Sequence, residues 1–286
     1  ILFLARARRV PVFASARDGV TVLIAARNEG KGALRAVQSL VDQDYEGELD
    51  IALLVRDETD TCVPFLQAAF PSAAGMDSSG LDFRYSQNRR ITIHFTGCDA
   101  KHAKINWMLR RIDSPYTAIL DADHQAHADW IRTSVAILNE SGGKIVQARR
   151  EPISAHGLFG LWDSLHQHIG CEVFNETFSR LGLTVFFTGS TAVFESKLLQ
   201  DHPLADCLTE DTNLSYDRIL AGEKILYNPY SGSSEEVSPD LYSFLARRRR
   251  WAHGHTEAFL RHLPSFWRAP LGISARIQFI VHGLHY

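Results

Sequence analysis

Short apolar runs alternate with stripes of helical period along most of the chain. Residues 21–25 (TVLIA), 51–55 (IALLV), 91–95 (ITIHF), 116–120 (YTAIL) and 144–148 (KIVQA) are largely apolar and of strand length, the pattern of strands covered on both faces. Between them, Leu34, Val37, Leu40 and Val41 mark one helix face, and Ile105, Met108, Leu109 and Ile112 mark another. This alternation predicts an α/β domain whose mainly parallel central sheet is flanked by helices. Residues 71–80 (PSAAGMDSSG) and 231–234 (SGSS) have loop composition. Residues 225–227 read as a further short strand, and 241–263 as a basic, aromatic-rich amphipathic helix ended by Pro264. The change of texture places a soft boundary near residue 236.

Carboxylates stand where strands end. Asp57 and Asp60 follow the run 51–55, and Asp121 and Asp123 follow the run 116–120 as D-x-D. Ligands of open α/β sheets gather at the carboxyl ends of strands, so these acids are expected to face one crevice. A strand-ending Asp is also ordinary turn chemistry. Two carboxylates one residue apart after a strand add the capacity to hold a hard divalent cation such as Mg²⁺ together with substrate phosphates. A third acidic site, Thr209-Glu210-Asp211, precedes the helical pattern 214–222. Capping by Thr209 or Asp211 and catalysis by Asp211 are compatible there.

Composition narrows the class. The 286 residues are 45% hydrophobic and 22% charged, with a formal net charge of −3. That mix excludes a disordered chain and a nucleic-acid coat, which is far more basic. No apolar run reaches the ~18 residues that span a bilayer. The length corresponds to one large domain or two small ones at about 150 residues each. Cys62, Cys98, Cys171 and Cys207 show no C-x-x-C spacing, so buried thiols in a reducing compartment are expected. His166, His168 and Cys171 lack the spacing of a structural zinc site. His124 and His127, beside the D-x-D, are expected as turn or cleft-wall residues.

Arginine is unevenly placed, with Arg6, Arg8, Arg9 and Arg17 at the start and Arg247 to Arg250 unbroken near the end. On a helix Arg247, Arg250 and Trp251 share one face, while Arg248 and Arg249 point elsewhere. Guanidinium forks suit phosphate oxygens, and an indole suits a sugar face. A solvated basic face, a nuclear-targeting string and a helix lying on a membrane are the competing readings of the same run.

Taken in order, these motifs resemble the inverting family 2 glycosyltransferases of the cellulose, chitin and hyaluronan synthase group, which carry a GT-A catalytic domain. The resemblance spans roughly residues 20 to 260 and rests on VTVLIAARNE from Val20, RDETD around Asp57, Lys101 with Asn106, the D-x-D at Asp121 and Asp123, Val146-Gln147, FFTGS from Phe186, T-E-D ending at Asp211, and RRRRW ending at Trp251. Arg247 departs from the Gln usual in processive members and is similar to glycolipid-forming relatives.

The resemblance implies a Rossmann-like GT-A domain over 20–235, a juxtamembrane segment over 1–19, and interface helices over 236–286 leading into a membrane segment. It implies a UDP-sugar donor, glucose foremost, contacted by Ala25, Arg27, Glu29, Asp57, Lys101, Asp121, Asp123, Arg247 and Arg250. It implies Mg²⁺ or Mn²⁺ held chiefly by Asp123, Asp211 as general base, and an acceptor met by Gly189, Ser190, Glu210 and Trp251. The expected product is a β-linked polysaccharide such as a β-glucan. A glycolipid made by single transfer to a lipid is the first alternative, and an inactive nucleotide-binding regulatory domain is the distant one. Relatives place such a domain on the cytoplasmic face of a membrane, between membrane helices, with no nucleic-acid partner. Residues 1–4 (ILFL) would then be the stub of an entering helix, with Arg6, Arg8 and Arg9 as its positive-inside flank.

Overall fold

A computed structural model describes residues 16–70, 73–77, 80–153, 157–238 and 240–284, with the backbone alone described for 73–77, 171 and 172. The expected membrane stub at 1–4 and its arginine flank therefore lie outside the described residues. Ten strands form one sheet, β1 (Val20–Ala25), β2 (Leu49–Val55), β3 (Ala73–Asp77), β4 (Gly80–Ser86), β5 (Arg89–Phe95), β6 (Tyr116–Ile119), β7 (His124–Ala126), β8 (Ile145–Ile153), β9 (Ala192–Glu195) and β10 (Leu226–Glu236), in the order β3-β4-β5-β2-β1-β6-β9-β8-β10-β7. The centre, β5-β2-β1-β6, is parallel throughout. β9 runs against both β6 and β8, and β10 is parallel to β8.

The helices are α1 (Lys31–Val41), α2 (Cys62–Ala69), α3 (Lys101–Leu109), α4 (Trp130–Ser141), α5 (Gly157–Gln167), α6 (Asn175–Arg180), α7 (Ser196–Asp201), α8 (Glu210–Leu220), α9 (Leu241–Phe266) and α10 (Ile273–Gly283), with a π-helical stretch at His168–Phe174. The period-2 alternation of β1 shows why its run is apolar at every position but Thr21. Val22 and Ile24 join the core beneath α1, α2 and α4, whereas Leu23 joins the core beneath α3. All three are fully buried. A third cluster ties the C-terminal helices together, with Tyr216 of α8 packed against Phe259 of α9 and Phe279 of α10.

Several expectations needed correction. Residues 73–77, expected as loop, form β3 and pair antiparallel with β4. Its small, weakly patterned residues sit at the sheet edge, where backbone pairing rather than side-chain burial specifies a strand. The SGSS stretch is likewise interior to β10, with Ser231 and Ser233 buried. A Cβ on Gly232 would lie 1.8 Å from the Arg149 carbonyl, so only glycine allows β8 to approach there. The long helix continues past Pro264 to Phe266, whose ring is buried in the third cluster. Cys62 is buried as expected, but Cys98 and Cys207 are only partly so. The side chain of Cys171 lies outside the described residues. No described helix is long and apolar enough to cross a membrane.

Candidate active site

Strand order reverses direction at β1, with β2 on one side and β6 on the other, so a crevice opens at the carboxyl ends of these strands. The turn after β1 carries Arg27 and Glu29 into it, with Asn28 in the left-handed region at φ 59°. Asp60 holds that turn: its carboxylate accepts the Asn28 N–H at 3.0 Å and the Cys62 N–H at 2.9 Å. Asp57 is more exposed and accepts from the Thr59 N–H at 3.0 Å. The Thr59 hydroxyl and N–H keep its carboxyl below the usual range.

The D-x-D follows β6. Lys101, at the start of α3, reaches the Asp121 carboxylate and donates to the Gly189 carbonyl at 2.8 Å. Burial opposes ionisation of Asp121, but Lys101 and His124 outweigh it and hold its pKa low. Asp123 has no such ammonium. Burial raises its pKa, with Asp121 and Glu235 adding repulsion against the relief from His124. Glu29 is raised by desolvation and by Asp123 and Asp121, which places all three carboxylates in one crevice. Asp121, Asp123 and His124 offer ligand atoms within 4.8 Å of one another. A hard divalent cation fits this donor set, with Asp123 as the carboxylate most in need of it.

Behind the D-x-D, His124 is buried, with Nδ1 2.9 Å from the Ser233 hydroxyl and Nε2 3.4 Å from Glu235. His127 meets Ser234 at 3.0 Å. Both therefore brace the cleft wall through β10, and His124 also stands at the edge of the cation site. Ser190, expected at the acceptor, is fully buried and accepts the Asp121 N–H at 2.9 Å. Its side chain supports the D-x-D from within.

Asp211 lies in the first turn of α8. Thr209 occupies the N-cap position without a side-chain cap bond, and α9 packs closely against it: a Cβ on Gly254 would lie 2.4 Å from Thr209 Cγ2. The Asp211 carboxylate accepts the Thr212 N–H at 2.7 Å. Burial pushes its pKa up against the relief from that bond, Lys101 and Arg150. Glu210 is raised too, by burial and by Asp211. Gly189 joins the two halves of the site. At φ 85°, a Cβ there would lie 3.0 Å from Asp211 Oδ2 and 3.8 Å from Lys101 Nζ. Lys101 thus stands between the D-x-D and Asp211.

A cavity of about 150 Å³ beyond Asp211 is walled by Phe186, Phe187, Thr188, Arg248, Trp251 and His255, among others. Trp251 therefore shares a wall with Asp211. The arginines are arranged differently from the helical-wheel expectation. Arg247 pairs with the buried Asp163 of α5, and Arg248, expected to point elsewhere, lines the cavity. Arg250 is exposed and is not part of the cavity wall. The rotation of α9 is set by its ion pairs to α5 and its packing on α8, neither of which a single-helix wheel contains.

Sequence reasoning missed four residues. Lys104 is buried and donates to the Ala26 carbonyl at 2.5 Å, so it anchors the end of β1 from below. Its spacing of three from Lys101 on an otherwise apolar face was the available signal. Arg150 and Glu235 form a buried ion pair across β8 and β10. Burial opposes the Glu235 charge, but Arg150 and His124 hold its pKa at about 2. A charge inside a strand was the only local mark of this pair. Asp163 sits among exposed leucines and gave no signal at all.

A family model described as glycosyltransferase like family 2 matches residues 16–254. Among solved structures, the mannosyltransferase PcManGT from Pyrobaculum calidifontis in complex with GDP-Man and Mn²⁺ superposes with a TM-score of 0.67 at 17% identity, over 99% of this chain and 75% of that one. S. aureus TarS 1–349 in complex with UDP-GlcNAc superposes with a TM-score of 0.62 at 13% identity, over 93% of this chain and 71% of that one. A search of curated proteins returned no match.

Proposed function

The chain belongs to the family 2-like glycosyltransferases, and from that premise we propose that it moves a hexose from a UDP-sugar to an acceptor hydroxyl with inversion, using Asp211 as general base. The observation that carries this reading is the meeting at Gly189 of Lys101, which is bound to the D-x-D, with Asp211 of α8. Side chains from three separated segments of the chain converge there.

Asp211 takes the proton of the acceptor hydroxyl as its oxygen forms a bond to the anomeric carbon. The bond from that carbon to the diphosphate oxygen breaks, and its electron pair leaves with UDP. A carboxylate whose pKa burial has raised is a stronger base, which suits this step. Lys101 offers its positive charge near the departing diphosphate while keeping Asp121 ionised. Asp57 and the turn from Ala25 to Glu29 face the nucleoside, and Arg27 adds positive charge beside the donor, whereas Arg247 is neutralised by Asp163 and Arg250 stands on the exposed face of α9. Glu210 and Trp251 flank the acceptor, with the indole as a stacking floor. Asp123, with Asp121 and His124 beside it, would hold Mg²⁺ or Mn²⁺, which supplies Lewis-acid stabilisation of the leaving diphosphate when bound.

UDP-glucose and a β-glucan product are the donor and product we propose. The UDP-GlcNAc bound to TarS and the GDP-Man and Mn²⁺ bound to PcManGT support a nucleoside diphosphate sugar with a divalent metal. A lipid acceptor is the second reading. It is favoured by exposed Leu158, Leu161, Trp162 and Leu165 on α5 and by Tyr242 and Leu245 on the adjoining α9. The same surface, with the exposed Arg249 and Arg250, supports residence on the cytoplasmic face of a membrane.

The test is Asp211→Asn, assayed by release of the nucleoside diphosphate across a panel of UDP-sugars with Mn²⁺. Transfer should fall by about 10²–10⁴-fold while nucleotide binding persists. Turnover at the wild-type rate would overturn the assignment of the base.

A further inference from the structure

We propose that His255 is a positioning residue for Asp211: through the Thr212 hydroxyl it commits one carboxylate oxygen of the base and leaves the other to the acceptor. The inference rests on reading Asp211 as the base and adds to it the device that aims the carboxylate.

The sequence of α9 delivers His255 to this place. Gly254 is buried against the start of α8, where a Cβ would lie 2.4 Å from Thr209 Cγ2 and 3.1 Å from Leu208 Cβ. A larger residue would hold the helix off. Because the glycine lets α9 close on α8, the next residue, His255, brings Nε2 to 3.3 Å from the Thr212 hydroxyl. The same ring lines the cavity that Asp211 borders, and the His282 ring of α10 stands beside it at 5.6 Å between centroids.

The two oxygens of Asp211 differ in their surroundings. Oδ1 accepts the Thr212 N–H at 2.7 Å and has the Thr212 hydroxyl at 3.4 Å. Oδ2 lies on the side of Gly189, whose carbonyl takes Lys101. Thr212 is 1% exposed, so its hydroxyl is confined to partners inside the protein. A hydroxyl has one proton to give. When His255 Nε2 donates, the hydroxyl accepts there and turns its own proton to Asp211 Oδ1. The chain from His255 through Thr212 to Asp211 then runs in one direction, each bond polarising the next. The lone pairs of Oδ2 stay available for the acceptor proton. Contacts of this length are common between catalytic groups before substrate binds, and they tighten in the complex.

The titratable and charged groups that share the cavity with His255 are Asp211 on α8, Arg150 on β8, Glu235 on β10, His166 on α5, Arg248 on α9 and His282 on α10. Arg150 and Glu235 pair with each other and Arg248 faces Asp163, and the Thr212 hydroxyl joins the imidazole to the base.

The experiment follows the Asp211 carboxyl by carbon-13 NMR titration of the full chain labelled at aspartate, its signal identified by loss in Asp211→Asn. The wild type is compared with His255→Phe, Thr212→Val and the double variant. Asp211 should titrate higher by about half a pH unit in either single variant, and no higher in the double. His255→Gln, which keeps a donor, should restore the wild-type value. In the transfer assay the acidic limb of kcat should move by the same amount, with the KM for the UDP-sugar unchanged. No shift in His255→Phe, shifts that add in the double variant, a His255→Gln that behaves as His255→Phe does, or a change in KM alone would each overturn the proposal. A merely structural contact would lower the melting temperature of each variant and give additive losses in the double. Should His255→Phe fail to fold, Thr212→Val set against His255→Gln makes the same comparison. Turnover by Asp211→Asn counts against the base itself, whereas a wild-type titration in His255→Phe counts against the positioning alone.

Discussion

The crevice at the strand ends and the wall formed by α9 hold their functional side chains by different means. In the crevice the backbone does most of the holding. β1, β2 and β6 run in register, two N–H groups bind Asp60, and Ser190 takes the N–H of Asp121. On the α9 wall the positions depend on side chains meeting across the fold, Arg247 on Asp163 and Gly254 against Thr209. A strand end is placed by its neighbours along a ladder. A helix face is placed by whatever stops the helix from rotating. The first arrangement tolerates loss of a single surface charge, and the second depends on individual buried pairs.

The buried pair between the two regions offers the largest test of this contrast. Glu235→Gln leaves Arg150 without its carboxylate, and breaking a buried pair costs about 3–5 kcal/mol. The pKa of Glu235 is lowered from 4.5 to about 2, so its contribution is fully present above 4.5 and is lost as pH falls towards 2. The corresponding stability is of order 3 kcal/mol. Urea unfolding at pH 7 and pH 3 should show about 2 kcal/mol of that loss in the wild type, the rest following below pH 3, and much less in the variant. An equal pH dependence in both proteins would remove Glu235 as its source.

A smaller effect is expected where the regions touch. Gly189→Ala forces a side chain into the left-handed region at a cost of about 1–2 kcal/mol and pushes on Asp211. Transfer should drop by more than the loss of stability explains, which a comparison of melting temperature and kcat will reveal. The smallest stability change belongs to the crevice. Asp57→Ala removes an exposed carboxylate and should shift unfolding by less than about 0.5 kcal/mol, while raising the KM for the nucleotide sugar. A large loss of stability from Asp57→Ala would erase the distinction between backbone-held and side-chain-held regions.

The parallel centre of the sheet was legible in the sequence because a strand buried on both faces must be apolar at nearly every position. β1, β2 and β6 all obey this. Where the pattern loses that constraint, legibility fails. Ser231 and Ser233 of β10 are buried by close backbone approach at Gly232, with Ser233 also bonded to His124, and neither cause leaves an apolar run. The D-x-D and T-E-D motifs were readable as chemistry because each follows or begins an element recognisable from its neighbours in sequence.

What the sequence determined by itself was therefore the local part: which runs are strands, where carboxylates end them, and that Asp211 opens a helix. Hydrophobic periodicity is a short-range property, and it suffices for those features. Only the tertiary structure decided that Arg248 rather than Arg250 faces the cavity, that Ser190 turns inward to the D-x-D, and that Asp163 is shared by two guanidiniums. Those outcomes depend on rotation about a helix axis and on charges brought together from positions 84 residues apart, and no local pattern encodes either.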